Sequence, residues 1–356
     1  MLELKQSKQL INVYNNRAIR SAILNVAVIG LGHQAIEDHI PAVLLSRDVK
    51  LVAVVDVDSR ALAGFKKSHP EVKCYKTVEG MLKNSQVDFA IVCTPHIDHF
   101  SVCKLLLEKG VHILKEKPLA ASYEEAVLLA GIARKHKREL AVTLQRRFNP
   151  IYSTFPQLLR GIGKVFLIEG TYTFFTDTPG EGWRGKKKTA GGGCLIDMGY
   201  HMIDLLIWYF GLPDSVIACA SCLGQENKLY DAEDTVRVTF KYRQTGMNGS
   251  ILISRSISPK QESLIAFGTR GQVRMERGLI ERFDEKGQLI ESLKRENNWP
   301  SAALDQLNYF VKVVKGEAIN LTSAEAHLDH MAFVESAYLS ITRNGYVDPQ
   351  RVRRGY

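Results

Sequence analysis

What the chain lacks narrows it first. No apolar run approaches the roughly 18 to 20 residues that span a bilayer; Leu205 to Phe210, among the strongest, is far shorter. The opening stretch MLELKQSKQLINVYNNRAIRSA has neither a compact hydrophobic h-region nor a small-residue cleavage site. The expectation is therefore a cytoplasmic protein, neither membrane-spanning nor exported. Cysteine is scarce, with 6 in 356 residues, and most lie inside apolar strand or helix patterns, which reads as reduced core thiols. Cys219 and Cys222 form a C-x-x-C, but residues three apart in the strand-like run SVIACASC face opposite ways, and no second pair completes a zinc site. That pair is read as packing. Zinc-finger spacing, an RNP-like aromatic pattern and a basic zipper are all missing, which argues against nucleic acid as a partner. No metal site is expected either: His96 and His99, like His327 and His330, have suitable spacing but no further ligands.

Charge of one sign is in mild surplus. Lys and Arg number 47 against 38 acidic residues, a net charge of +9, concentrated at Lys135 to Arg138, Lys186 to Lys188 and Arg351 to Arg354. With no motif for reading nucleic acid, a solvated basic surface is the plainer interpretation. At 356 residues the chain is long enough for about two domains, each with its own core.

The pattern changes near Arg147. From Asn25 onward, short Val- and Ile-rich runs (NVAVIG, LVAVVDV, FAIVCT, VHILKEKP) alternate with helical stretches. This is the signature of parallel βαβ units with helices on both faces of the sheet. Beyond Arg147 the runs KVFLIEGTYTF, SVIACASCL, DTVRVTFKY, GSILISRSI, ESLIAFGT and GQVRMERG follow one another with turns between, which points to a largely antiparallel sheet. A helix from about Gly192 to Phe210 interrupts them, and two helices near the end, Ser301 to Val314 and Ser323 to Arg343, follow them. The expected fold class is α/β followed by α+β. Residues 1–22 form an extension, 23–146 a doubly wound domain, and 147–356 an α+β domain.

Directly after the first strand stands Gly30-Leu31-Gly32-His33-Gln34-Ala35, a G-x-G-x-x-A that opens a helix. Gly30 permits the tight turn, Gly32 lets backbone approach a pyrophosphate, and Ala35 lets helix and strand pack closely. The helix N-terminus offers free N–H groups to the phosphates. Asp56 ends the second strand where a carboxylate meets adenosine ribose hydroxyls, and it repels a 2′-phosphate, so NAD is favoured over NADP. Arg60 softens that preference.

GGGCLIDMGYHMIDLLIWYF carries a polar stripe on an otherwise apolar helix, with Asp197, His201 and Asp204 on one face. Ionisable groups inside a buried helix are either paired or functional. The plain reading has Asp204 paired structurally and His201 satisfied in the core. The functional reading takes the three glycines as allowing a ligand to approach the helix start, with Asp197 orienting His201 as a general base. Lys117, in VHILKEKPLA, ends a parallel strand where ligands of open α/β sheets bind, and can stabilise charge on a substrate oxygen.

Taken in order, GLGHQA, VVDVD, CTPHIDH, KEKPLA, RRFNP and GGGCLIDMGYHMIDLL closely resemble the Gfo/Idh/MocA family of NAD(P)-dependent oxidoreductases. The likeness runs from about Asn25 to Gly345. The resemblance implies a Rossmann domain, then a C-terminal domain whose large open sheet commonly forms a dimer interface, so a homodimer or homotetramer is expected. It also implies that Lys117, Asp197 and His201 are catalytic. Thr94 and Pro95 would line the nicotinamide and Glu116 the cofactor ribose; His96 stands where many members have Asn. His99 is placed with the cofactor set and at the start of the helix after CTP. Arg147, Trp183 and Arg184 are placed with Asp197 and His201 around the substrate.

The implied activity is hydride exchange between nicotinamide and a secondary hydroxyl of a sugar, polyol or sugar derivative. Two alternatives stand beside it: an NAD-using enzyme without net redox change, and a non-catalytic dinucleotide sensor. An acidic sugar is the functional reading of Lys186 to Lys188, against plain surface solvation.

Overall fold

The computed structural model describes residues 23–226, 229–295 and 299–355. The extension assigned to residues 1–22 thus lies wholly outside the described residues. The first sheet has six parallel strands in the order β3-β2-β1-β4-β5-β6. These are β1 (Leu24–Ile29), β2 (Val49–Val55), β3 (Lys73–Tyr75), β4 (Phe89–Val92), β5 (His112–Lys115) and β6 (Leu140–Val142). Apart from the edge strand β3, they are largely apolar and buried on both faces, as a sheet sandwiched between helices requires. The strand order reverses between β1 and β4, and such a switch point opens a crevice beyond the strands' carboxyl ends.

A short π turn, Ala35–His39, runs into α1 (Ile40–Leu45). The other connecting helices are α2 (Ser59–Ser68), α3 (Val78–Asn84), α4 (His96–Glu108) and α5 (Tyr123–His136). Asp58, Thr77 and Ser122 cap three of them, each side chain accepting a backbone N–H of the first turn.

After a 3₁₀ turn at Gln145–Phe148 comes α6 (Pro150–Leu159). The strand-dominated reading of this region overlooked that helix, although Asn149 caps it and Pro150 stands at its start. The second sheet has eight strands in the order β14-β13-β12-β11-β7-β10-β9-β8. They are β7 (Val165–Phe175), β8 (Ser215–Ser221), β9 (Thr235–Lys241), β10 (Asn248–Ser254), β11 (Ser256–Gly268), β12 (Gly271–Glu276), β13 (Leu279–Phe283) and β14 (Leu289–Lys294). Only β7 and β10 pair in parallel; the other neighbours are antiparallel. β13 and β14 had no counterpart in the sequence reading: apart from the buried Ile280 their residues are half-buried or exposed, so little hydrophobic signal marks them.

The short α7 (Lys187–Ala190) and the buried α8 (Tyr200–Phe210) pack between this sheet and the first domain, and α10 (Leu328–Arg343) and α11 (Pro349–Arg354) cover its β8 end. The intervening helix α9 (Trp299–Val314) does not stay with the second sheet. Ala303, Leu307, Phe310 and Val311 join the core around Val26, Val28 and Phe89, with Phe310 edge-on to Phe89 at 5.5 Å. The chain therefore returns to close one face of the doubly wound domain, which ties the halves together.

Two cysteine readings change. Cys219 and Cys222 are exposed, not packed, because β8 is an edge strand and Cys222 lies just beyond it. Cys103 and Cys194 are the buried thiols; Cys74 and Cys93 are half-buried.

Candidate active site

A cleft of about 700 Å³ opens at the switch point. It is lined by Gly30, Gly32, His33 and Gln34 from the first turn, Asp56 after β2, Thr94, Pro95 and His96 after β4, Glu116 and Lys117 after β5, and Trp183 and Arg184 from the second domain. Gly30 has φ +89°, and a Cβ there would stand 2.8 Å from the Cys93 carbonyl oxygen, so only glycine fits. At Gly32 no protein atom lies within 4 Å of a would-be Cβ; its exposed backbone faces the cleft. Ala35 is fully buried beneath the turn, as its packing role requires.

Asp56 braces this cradle. One carboxylate oxygen accepts Leu31 N–H at 2.6 Å and the other accepts Asp58 N–H at 2.8 Å, which joins the glycine turn to the end of β2. Arg60 departs from the sequence reading. Its side chain is 95% exposed, 3.7 Å from Asp58, and does not line the cleft. The sequence reading missed the far end of the cleft, formed by Lys76, Thr77, Val78 and Glu79 after β3, with Ser101, Val102 and Leu105 on α4. The usable signal was topological: β3 runs parallel to β2, so the loop after it arrives at the same edge.

The loop after β5 has an internal support that the sequence reading also missed. Lys115 is fully buried and donates to His99 Nδ1 and the Glu116 carbonyl, each at 2.8 Å, and to the Pro118 carbonyl. Burial pushes this ammonium down to about 8. Since Lys115 donates to Nδ1, the His99 proton sits on Nε2 and goes to the Thr94 carbonyl at 2.9 Å. His99 is fully buried, so it serves the start of α4 and stands behind the wall; the expected direct cofactor contact is corrected. Glu116 Oε1 accepts from His39 Nε2 and Thr143 Oγ1, both at 2.8 Å. Burial raises the Glu116 carboxyl, but the His39 hydrogen bond and charge, with Lys117 and the Thr143 hydrogen bond, together outweigh this and hold it below the ordinary value. His96, with Nδ1 2.8 Å from the Ala190 carbonyl, is pushed down to about 3 by burial and is neutral.

Two of the three catalytic candidates, Lys117 and Asp197, meet across the domains. Lys117 Nζ donates to Asp197 Oδ1 at 2.7 Å and to the Asp197 carbonyl at 2.9 Å. Arg184 Nε lies 3.3 Å from Asp197 Oδ2. Burial raises the Asp197 carboxyl, but Lys117 and then Arg184 outweigh it, so the group stays an anion.

The single-helix reading of this segment is wrong. α8 begins at Tyr200, and Asp197 lies in turns before it, pinned where Cys194 N–H and Leu195 N–H bond the Glu233 carbonyl and carboxylate. The three glycines admit the protein's own chain, not a ligand. A Cβ at Gly191 would meet the Ala121 carbonyl at 2.7 Å, at Gly192 the Tyr338 hydroxyl at 1.9 Å, and at Gly193 the Glu233 carbonyl at 2.1 Å.

His201 is half-buried on the first turn of α8, with its ring edge-on to Tyr172 at 6.4 Å. Its Nδ1 is buried without a hydrogen-bond partner, so Asp197 does not orient it as expected. Burial, reinforced by Arg146 and then Lys117, holds the imidazole well below its usual value and therefore neutral. Arg146, rather than Arg147, is the arginine that bears on His201. It forms a buried pair with Glu262 at 2.7 and 3.0 Å, and its guanidinium lies 5.4 Å from the Tyr172 ring centroid.

Arg147 is committed elsewhere. It grips Asp204 at 2.6 Å and the Leu321 carbonyl at 3.0 Å, while His330 Nε2 lies 2.9 Å from Asp204. Its placement against substrate is corrected, and the plain reading of Asp204 as a structural partner holds. The four histidines once paired by spacing are thus engaged separately: His96 and His99 as above, His327 at 2.8 Å from the Tyr200 hydroxyl, and His330 on Asp204.

Two family models match the chain, together over about two thirds of it. Residues 24–144 match the oxidoreductase family, NAD-binding Rossmann fold, and residues 160–274 match the GFO/IDH/MocA C-terminal domain. A D-glucoside 3-dehydrogenase of Escherichia coli (strain K12) is 26% identical over 344 residues, 91% of this chain and 97% of that protein. Among solved structures, an oxidoreductase from Agrobacterium radiobacter with NAD+, L-tartaric acid and magnesium superposes with TM-score 0.82 at 18% identity, covering 93% of this chain and 100% of that one. The WlbA dehydrogenase from Bordetella pertussis with NADH and UDP-GlcNAcA gives TM-score 0.78 at 20% identity, covering 91% and 98%.

Proposed function

The chain belongs to the Gfo/Idh/MocA oxidoreductase family, and from that premise we propose that it is an NAD-dependent dehydrogenase acting on a secondary hydroxyl of a sugar, polyol or sugar derivative. One observation carries this reading. A single cleft runs from the glycine turn to Lys117 and Arg184, the two cations that grip the anionic Asp197. The residues present fit a dinucleotide. Gly32 offers open backbone, Glu116 presents a fixed carboxylate, and Thr94 Oγ1 is buried with no partner of its own. Gly30, Gly32, His33 and Gln34 would hold the pyrophosphate, Asp56 the adenosine ribose, and Thr94, Pro95, His96 and Glu116 the nicotinamide end. Bound there, the nicotinamide supplies the site that accepts or returns hydride.

The chain's own residues handle the oxygen and its proton. Lys117, fixed by Asp197, donates a hydrogen bond to the substrate oxygen and stabilises charge on it. His201, kept neutral by burial and by Arg146, takes the hydroxyl proton in the oxidising direction. Asp197 positions Lys117 rather than the imidazole. The Asp56 carboxylate favours NAD over NADP. The enzyme self-associates through the second sheet, where strand alternation leaves Thr171, Leu252 and Ile265 half-buried opposite the buried Gly170, Ile251 and Leu264.

Nicotinamide absorbance during incubation with NAD and a panel of polyols, sugars, sugar phosphates, uronates and nucleotide sugars, with Lys117→Ala alongside, tests the reading. NADH formation lost in the variant supports it. Wild-type turnover in the variant, or NAD binding without turnover across the panel, counts against it.

A further inference from the structure

Asp197 has more positive charge around it than one carboxylate needs. Lys117 alone, at 2.7 Å, satisfies Oδ1, and Arg184 adds a second cation at 3.3 Å on Oδ2. The two contacts differ in kind. The Lys117 side chain is 13% exposed and the Arg184 side chain 54%. The Arg184 contact is the longer of the two and its cation is half in solvent, which screens it. Arg184 can therefore leave Asp197 at little cost, whereas Lys117 cannot.

What surrounds Arg184 suits an anion. Its guanidinium carbon stands 4.3 Å from the Trp183 ring centroid, and that ring packs 4.4 Å from His96, so the cation rests on a fixed aromatic platform at the cleft. Stacking of this kind leaves the edge of the guanidinium fork free to meet a carboxylate or phosphate through two N–H groups. The root of the turn holds a second guanidinium. Arg255, 5% exposed, donates from Nη1 to the Arg184 carbonyl at 3.3 Å, and its Nη2 is buried with no acceptor. Lys186, Lys187 and Lys188 follow on the exposed side, where Asp231 Oδ1 accepts Lys187 N–H at 2.6 Å and fixes the turn.

We infer that Arg184 is the specificity-determining residue of the site and that the substrate is an acidic sugar, whose carboxylate or phosphate takes Arg184 from Asp197. The inference rests on the dehydrogenase reading for its chemistry but predicts binding independently of turnover. The matched pairs are D-glucuronate with D-glucose, D-gluconate with D-glucitol, and glucose 6-phosphate with glucose. Calorimetry with the NADH complex measures their affinities, and NADH formation with NAD measures turnover.

At least one acidic member binds about tenfold or more tightly than its neutral partner. Arg184→Gln lowers that acidic-to-neutral ratio by about 10- to 100-fold, the worth of a charge-assisted pair, and Arg184→Lys restores part of it. Carboxylate and phosphate members separate the two anion sources. Neutral members binding as well as acidic ones, no acidic member binding at all, or an unchanged ratio in Arg184→Gln overturns the inference. Selective acidic binding through Arg184 with no change in nicotinamide absorbance leaves the acidic subsite standing and defeats the dehydrogenase reading instead.

Discussion

Asp197 and Asp204 bracket His201 in one short segment, and each is held below the usual carboxylate range by nearby cations that outweigh its burial. They nonetheless serve different ends. Asp204 is 1% exposed, and its partners, Arg147 at 13% and His330 at 2%, do not line the cleft. The partners of Asp197, Lys117 and Arg184, line the cleft. A carboxylate's own burial does not separate a structural anion from a working one. Where its cations point does.

The largest expected effect falls on the working side. Lys117→Ala lowers kcat/KM by about 10²- to 10⁴-fold while the Kd for NADH, followed by fluorescence titration, stays nearly unchanged. Normal turnover would erase the distinction between the two aspartates. On the structural side, Asp204→Asn leaves Arg147 buried without its anion and costs about 3–5 kcal/mol of stability, read as a lowered urea midpoint. Activity per folded molecule is retained. Asp197→Asn differs in what it does to turnover: it leaves Lys117, whose side chain is 13% exposed, without its anion and so costs stability as well, while kcat falls. Replacing both partners, Arg147→Met with Asp204→Leu, recovers most of the stability lost by Asp204→Asn, because no unpaired charge remains. A double variant no more stable than the single one would show that the Leu321 carbonyl contact of Arg147, rather than the ion pair, does the holding.

The same contrast explains what the sequence could reveal. The cofactor half was legible because its chemistry is local: Gly30, Gly32, Asp56, Glu116 and Lys117 all sit at strand ends, and strand ends of a parallel sheet share one edge. The other half is built from partners far apart in the chain. Arg146 pairs with Glu262, Arg147 with Asp204 and Lys117 with Asp197, across 116, 57 and 80 residues of chain. Helical periodicity placed Asp197, His201 and Asp204 on one face, but it could not register that contacts with Glu233 hold residues before Tyr200 in turns. Nor does composition distinguish Arg146 from Arg147, adjacent residues of one 3₁₀ turn that point to different networks.

Acid sharpens the comparison through the histidines. Burial pushes His96 down to about 3 and His112 down to about 4, and it also holds His99, His201 and His327 below their ordinary value. Each takes up a proton near pH 6.5 when the chain unfolds. Between roughly pH 4 and 6.5 the unfolded state binds more protons, so stability rises with pH across that window and is lost on acidification. His112→Gln, remote from the cleft, flattens that slope by up to about 1.4 kcal/mol per pH unit. Asp204 behaves oppositely in origin: its folded carboxyl is depressed, so its contribution is intact above about pH 5 and fades below about pH 4. The gap in urea midpoint between the wild type and Asp204→Asn therefore stays level from pH 7 to 5 and narrows below. A gap that widens on acidification would mean Asp204 is not the anion its partners imply.

The smallest effect concerns Arg60, a residue of the predicted cofactor set whose side chain is solvated and stands clear of the cleft. Asp56 uses its carboxylate to join Leu31 to Asp58, and Asp58 in turn caps α2 through Arg60 N–H. The Arg60 backbone is thus part of the brace, while its side chain, 95% exposed and 3.7 Å from Asp58, contributes almost nothing to it. Arg60→Ala should shift the KM for NAD by less than about twofold, since removing a solvated surface charge leaves both hydrogen bonds of Asp56 in place. Asp56→Ala removes those bonds and the charge that disfavours a 2′-phosphate, so it should weaken NAD and narrow the preference over NADP together. If Arg60→Ala instead weakens NAD as much as Asp56→Ala does, the guanidinium folds over the cofactor on binding, and exposure in the free protein is no guide to its part in the site.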